Sequence, residues 1–181
     1  MTDSATLATG PVAVARLVSE ATTSVFSMML DLPVEIGESY VEPSGPADFD
    51  GVISIVSLAG PWIGAGRIAC GVSLACRIAS AMLMMEFDSA TGEVLDAMGE
   101  LANMIIGNTK TALEESVGPL VLSIPTVISG SNYRAWSGGS NKWTVIPMRC
   151  GEESFEIRFF LVPAPQNASG HSEALSQLQR R

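Results

Sequence analysis

The chain has 181 residues, 47% of them hydrophobic, and sets 10 Lys and Arg against 19 Asp and Glu for a formal net charge of −9. That length and apolar content suffice for one domain with its own core. The acidic balance removes the electrostatic attraction that nucleic acid or an anionic membrane surface would need, so neither is an expected partner.

In chain order, residues 1–11 read as a flexible leader. The Met-Thr-Asp-Ser-Ala-Thr start has no basic residue followed by an apolar run, so no signal peptide is expected. Pro11 stands at an N1 position, and Val14, Leu17, Val18, Val25, Met28 and Met29 predict one helix reaching Leu30. Val34 to Val41 alternates like a half-buried strand. Phe49 to Leu58 and Ile63 to Val72 predict two internal strands joined by the turn Ala59-Gly-Pro-Trp.

Ser73 is the expected N-cap of a short helix, Leu74 to Met85, with Leu74, Ile78, Met82 and Met85 at core spacing. A long helix follows, with Glu93 in its first turn and Val117-Gly-Pro ending it. Leu120 to Ile128 reads as a strand, and Ser129 to Asn141 as a polar loop. Strands are then expected at Lys142 to Arg149 and Phe155 to Val162, joined by a turn at Gly151-Glu-Glu-Ser. Residues 163–181 have the composition of a disordered tail. Strands arriving in runs between helices make the fold class α+β, with long helices packed on an antiparallel-type sheet. Each half has a long helix and then strands, a weak pseudo-repeat that suggests pseudo-duplicated halves.

The long helix carries the most informative segment, Asp96-Ala-Met-Gly-Glu-Leu-Ala-Asn-Met-Ile-Ile-Gly-Asn-Thr-Lys. The helical step places Asp96, Glu100, Asn103, Gly107 and Lys110 within roughly a third of the circumference. Leu95, Met98, Leu101, Ile105, Ala112 and Leu113 fall on the other side. Gly107 costs helix stability, yet in the polar stripe it leaves room for another backbone. Asn108 projects to the apolar side and is read as a structural asparagine with a hydrogen-bond partner. On general grounds most such stripes are only the solvated face of an amphipathic helix. Lys110 and Glu114 are assigned to that face or to a docking rim.

Other chemistry is thin. Cys70, Cys76 and Cys150 form no metal-ligand spacing and read as reduced thiols, the first two as core filler, so no metal site is assigned. The single histidine, His171, lies in the polar tail, which leaves a serine or cysteine nucleophile without an ordered base. Gly60, Gly64 and Gly66 are fragments of a dinucleotide fingerprint without its βαβ context, and Asn167-Ala-Ser is a chance glycosylation match. Trp62, Trp136 and Trp143 are assigned chiefly to core and hairpin packing. The uncharged stretch of residues 51–66 is too short and too rich in Gly and Pro to span a bilayer. A cytoplasmic protein is expected.

The helix motif Asp-x3-Glu-x2-Asn runs on as Met-Ile-Ile-Gly-Asn-Thr-Lys-Thr-Ala-Leu and is followed by Leu-Ser-Ile-Pro-Thr-Val-Ile-Ser-Gly. Upstream stand Gly-Val-Ile-Ser-Ile and Arg77-Ile-Ala-Ser-Ala-Met-Leu. Together these resemble the CheC/CheX/FliY chemotaxis phosphatases, most closely the CheX branch, over residues 12–162. The resemblance implies hydrolysis of the aspartyl phosphate of a phosphorylated CheY-like response regulator, with Glu100 and Asn103 entering the regulator's active site. Asn103 would orient the attacking water, Glu100 would anchor the regulator, and Asp96 and Gly107 would belong to the partner-binding surface. The stretch on the first helix that matches the second site of CheC-type members, Ser19-Glu-Ala-Thr-Thr-Ser-Val-Phe, lacks Glu and Asn at that spacing, which implies one site per chain. Pro125 takes the place of the proline following the family's motif, at a spacing one residue shorter.

By the same resemblance the chain would bind no cofactor of its own, Mg2+ would sit on the partner regulator, and a homodimer with exchanged strands is expected. A response-regulator system other than chemotaxis fits equally well. The alternative function is a non-catalytic binding module for a phosphorylated regulator, as in related flagellar switch proteins.

Overall fold

A computed structural model describes residues 9–136 and 141–165. His171, the Asn167 triplet and nearly all of the expected leader and tail lie outside the described residues. So does the Trp136 side chain. The first half runs helix α1 (Pro11–Val25), a π-helical turn at Phe26–Leu30, and strands β1 (Glu35–Ile36), β2 (Tyr40–Pro43), β3 (Pro46–Ala59) and β4 (Trp62–Cys70). Helices α2 (Val72–Leu83) and α3 (Gly92–Val117) precede β5 (Val121–Leu122), β6 (Thr126–Trp136), β7 (Lys142–Cys150) and β8 (Glu153–Pro163). This is the α+β fold expected: helices on an antiparallel sheet of eight strands, in the order β1-β7-β8-β4-β3-β5, with β2 also on β7 and β6 also on β3.

The three helices among the described residues cover one face of the sheet. Val52, Val56 and Leu58 of β3, Ile68 of β4, Ile146 of β7 and Ile157 and Phe159 of β8 meet Val18, Leu74, Ile78, Met98, Leu101, Ile105 and Ile106 in one core. Phe26 stacks on Phe155 with ring centroids 5.4 Å apart. The opposite face carries an ion-pair cluster. Arg67 meets Glu156 at 2.7 Å, and Arg158 bridges Glu156 and Glu42. Trp143 packs edge-on against Phe160 and donates its indole N–H to Ser44 Oγ at 3.1 Å, and Trp62 packs against the core, so both serve packing.

Several expectations are corrected. The first helix stops at Val25 and gives way to a π-helical turn that ends at Asp31 in the left-handed region, so Met28 and Met29 point into solvent. The turn breaks the 3.6-residue period on which their burial was predicted. Helix α2 begins earlier than expected, with Gly71 rather than Ser73 at the N-cap, and ends where Met84 adopts φ 53°, which leaves Met85 exposed. The strand expected over Val34 to Val41 is two pieces, because Pro147 on β7 has a carbonyl for Gly37 N–H (2.8 Å) but no N–H to continue the ladder. The single strand Leu120 to Ile128 is likewise split at Ser123-Ile124-Pro125.

The polar segment from Ser129 is not a loop as far as Trp136. It pairs with β3 through a bulge between Phe49 and Gly51, where Asp50 Oδ1 accepts the Asn132 N–H at 2.6 Å. Asn132 there has φ 55°, a conformation that suits asparagine. The turn Gly151-Glu152 joins β7 to β8 in two residues, with Gly151 at φ 65°.

Candidate functional site

Helix α3 lies on β3, β4 and β6 and is flanked by α1 and α2. Its apolar positions Val94, Met98, Leu101, Ile105, Ile106, Leu113 and Val117 are buried, and this burial fixes which side faces out. Asp96 and Glu100 are exposed, and Asn103 and Gly107 are half-buried along the same stripe. Among the described residues neither carboxylate has an ion-pair partner, so both charges are free for an incoming group. Asn108 and Ala112, expected on the apolar side, are exposed instead. The contact line follows Ile105, Thr109, Leu113 and Val117, the i+4 ridge, and so turns away from the row that holds Asn108 and Ala112.

Lys110 pairs with Glu114 at 2.9 Å. Glu114 Oε1 also accepts the backbone N–H of Leu120 at 2.7 Å, and these two hydrogen bonds hold its carboxyl below the usual carboxylate range. The pair fastens the chain that leaves α3, a role beyond the solvated face or docking rim assigned from sequence. At the other end, Glu93 is held low by its own backbone N–H and the Thr91 hydroxyl, a favourable arrangement at a helix N-terminus.

Two contacts fix the height and rotation of the turn that bears Asp96 and Glu100. The fully buried Ser54 of β3 donates its hydroxyl to the Met98 carbonyl at 3.0 Å. Its neighbour across the ladder, Val127 of β6, packs against Gly99, where a Cβ would stand 3.3 Å from Val127 Cγ2 and 3.5 Å from Pro125 Cβ. Gly92, Leu95, Asp96, Gly99, Glu100, Pro125 and Val127 thereby line an open groove with carboxylates on one rim and apolar groups in its floor. Farther along, a Cβ on Gly107 would meet Leu122 Cδ1 at 3.7 Å, an ordinary contact, so this half-buried position borders β5 and has room for a small side chain.

The structure therefore places Asp96, Glu100, Asn103 and Gly107 on one outward line and brings Pro125 beside Gly99 and Glu100. It adds Ser54 and Gly99, which sequence reading missed. Gly99 had one signal, an interior helix glycine that costs about 1 kcal/mol relative to alanine; Ser54 had none. A larger depression lies elsewhere, between α2 and the chain after it, lined by Ser73, Cys76, Arg77, Ser80, Glu86, Phe87 and Asp88. Arg77 there is committed to the Cys150 carbonyl and Glu153. Chemically the stripe can supply anionic contacts and one neutral carboxamide, which donates and accepts hydrogen bonds but takes up no proton. Among the described residues no group of three His, Cys, Asp or Glu is arranged to hold a metal ion, and no helix is long and apolar enough to cross a membrane.

The family model for the chemotaxis phosphatase CheX matches residues 52–149, more than half of the chain and all of α3. A search of curated proteins gives no match. Among solved structures, CheX from Desulfovibrio desulfuricans is similar, at 27% identity and a TM-score of 0.74 over 82% of this chain and 99% of that one. CheX from Borrelia burgdorferi, in a complex with CheY, BeF3 and Mg2+, superposes with a TM-score of 0.70 at 24% identity, over 81% of this chain and 96% of that one. FliY from Thermotoga maritima shares the fold at 16% identity, with a TM-score of 0.59 and 91% of each chain covered.

Proposed function

The chain belongs to the chemotaxis phosphatase CheX family, and from that premise we propose that it hydrolyses the aspartyl phosphate of a CheY-like response regulator. The observation that carries this reading is the outward line of Glu100 and Asn103, one helical turn apart and rigidly backed by Ser54 and Val127. The Borrelia CheX complex with CheY supports the choice of partner.

In this reading α3 lies across the regulator's phosphorylation site. An acyl phosphate is already activated, so the helper protein chiefly places a water in line with the bond to be broken. The Asn103 carboxamide accepts a hydrogen bond from that water and donates one to a phosphoryl oxygen. The water oxygen forms the new bond to phosphorus, the phosphorus–oxygen bond to the aspartate breaks, and the regulator's carboxylate leaves with its electron pair. The water's protons pass to the phosphate product and solvent, since a carboxamide is no base. Glu100 pairs with a cationic side chain beside the phosphorylation site and sets the depth of docking, with Asp96 and Gly107 extending that surface. Mg2+ belongs to the regulator, where it neutralises the phosphoryl oxygens.

The reaction is assigned to the cytoplasm. A homodimer is also proposed, with the sheet edge at β6 as its natural seam; a monomeric mass by light scattering would remove it. The deciding experiment is phosphate release from phosphorylated regulators of the source organism, with and without the protein. Acceleration by catalytic amounts is expected. Release at the intrinsic rate despite complex formation would leave the binding-module reading in its place.

A further inference from the structure

The break between β5 and β6 holds a feature that the proposed chemistry does not use. Ile124 is 87% exposed, and Val121 nearby is 68% exposed. A single exposed aliphatic residue on a loop is ordinary. Ile124 differs in how firmly it is held and where.

The chain from Gly118 to Val127 is fixed at successive points. Leu120 N–H is bound by Glu114, and Leu122 pairs with Leu58. Ser123 N–H donates to the Ser57 carbonyl at 3.0 Å, and its hydroxyl accepts the Ser57 N–H at 3.0 Å while donating to the Ile124 carbonyl at 2.9 Å. Pro125 then restricts Ile124 to an extended backbone and seats its own ring on Gly99. The isoleucine is thus presented on a rigid platform whose side chain has been left in water.

The position follows from the same contacts. Leu122 lies against Gly107 and Pro125 against Gly99, so the segment runs alongside the polar stripe for about 12 Å, eight helical residues at 1.5 Å each. Ile124 stands between these two anchor points, and Asn103 lies midway between Gly99 and Gly107 on the helix. An apolar projection therefore borders the line of Asp96, Glu100 and Asn103.

We infer that Ile124 is an apolar docking contact for the phosphorylated regulator, and that Ser123 is the residue that positions it. The inference rests on the phosphatase reading and deepens it. The acidic stripe selects a cationic group on the partner, and the isoleucine demands an apolar hollow beside the phosphorylated aspartate, so the surface discriminates among regulators that share the same phosphate chemistry. Preorganisation reduces the entropy lost on docking, which is what the Ser123–Ser57 clamp supplies.

The test compares wild type with Ile124→Ser, Ile124→Leu and Ser123→Ala, using the regulator activated by BeF3 and Mg2+ for affinity and the phosphorylated regulator for turnover. Ile124→Ser is expected to weaken affinity and raise KM about tenfold with kcat within about twofold, as for an interface anchor. Ile124→Leu should retain most of the affinity, and Ser123→Ala should fall between. The fold is insensitive to the serine, since the side chain lies in water. Unchanged affinity for Ile124→Ser, with wild type still hydrolysing, overturns the inference and leaves the phosphatase reading standing. A loss of affinity accompanied by a change in oligomeric mass also overturns it, assigning Ile124 to a contact between copies. Wild type that neither binds nor hydrolyses any regulator removes both.

Discussion

Ser54 Oγ lies 3.0 Å from the Met98 carbonyl and donates to it from the middle of the sheet, so a strand hydroxyl and a helix carbonyl lock together directly beneath Glu100. The Met98 carbonyl keeps its own helical hydrogen bond when the hydroxyl is removed. Ser54→Ala should therefore cost only about 1 kcal/mol in urea unfolding. A loss above about 3 kcal/mol would show that the hydroxyl holds more of the core than this one carbonyl.

Gly66 of β4 has no room for a side chain, because a Cβ there would stand 2.7 Å from Ile106 Cγ1 and closer still to Cδ1. Gly66→Ala should destabilise by about 1–3 kcal/mol through overpacking. Ile106→Ala alone should cost about 2–5 kcal/mol by leaving a cavity. The double variant should cost clearly less than the sum, since each change makes room for the other. Strict additivity in denaturation would mean that Ile106 moves aside freely.

These contacts also mark where sequence reading stopped. The stripe of Asp96, Glu100 and Asn103 was legible because local periodicity decides it. Met28 and Met29 were misplaced because a π-helical turn changes the period, and Asn108 because the buried face follows an i+4 ridge set by neighbouring helices. The residues Ser129 to Trp136 carry loop composition but lie against the long β3, and a bulge accommodates them. Gly99 and Ser54 owe their roles to residues far away in sequence, and the only local sign of either was a glycine inside a helix.

Acid should act through the ion-pair cluster on the sheet face opposite the helices. Burial pushes the Glu156 carboxyl up, but hydrogen bonds and charge from Arg158 and Arg67 prevail and hold it below its ordinary value of 4.5. A carboxyl depressed by folding contributes stability that is fully present above pH 4.5 and is lost as pH falls through the folded value. Glu156→Gln should cost about 1–3 kcal/mol at pH 7 and flatten the acid limb of the stability curve. An acid limb identical to wild type would assign it to other carboxylates.

The Cys70 thiol should be silent in the native protein. Cys70, Cys76 and Cys150 are all free and buried, and burial above all, with Glu153 and Cys76 nearby, pushes the Cys70 thiol up to about 12. Because the thiolate is the reactive form, iodoacetamide at pH 8 should label Cys70 only after denaturation. Rapid native labelling traced by peptide mapping to Cys70 would reveal local opening of the β4–α2 junction.

The two residues at the centre of the proposed site should fail in different ways. Asn103→Ala removes the group proposed to orient water, without touching the buried ridge of α3, so thermal unfolding should be little changed while kcat falls by about 10²-fold or more, toward the regulator's intrinsic rate. Binding to the activated regulator should survive. Glu100→Ala removes an exposed anion proposed to act in docking, so KM should rise about tenfold with a smaller change in kcat, and the penalty should shrink at high salt as the lost charge pair is screened. Transposed results, with Glu100→Ala lowering kcat and Asn103→Ala raising only KM, would exchange the two roles. That outcome would place the water beside the carboxylate and make general-base catalysis by Glu100 the mechanism to examine.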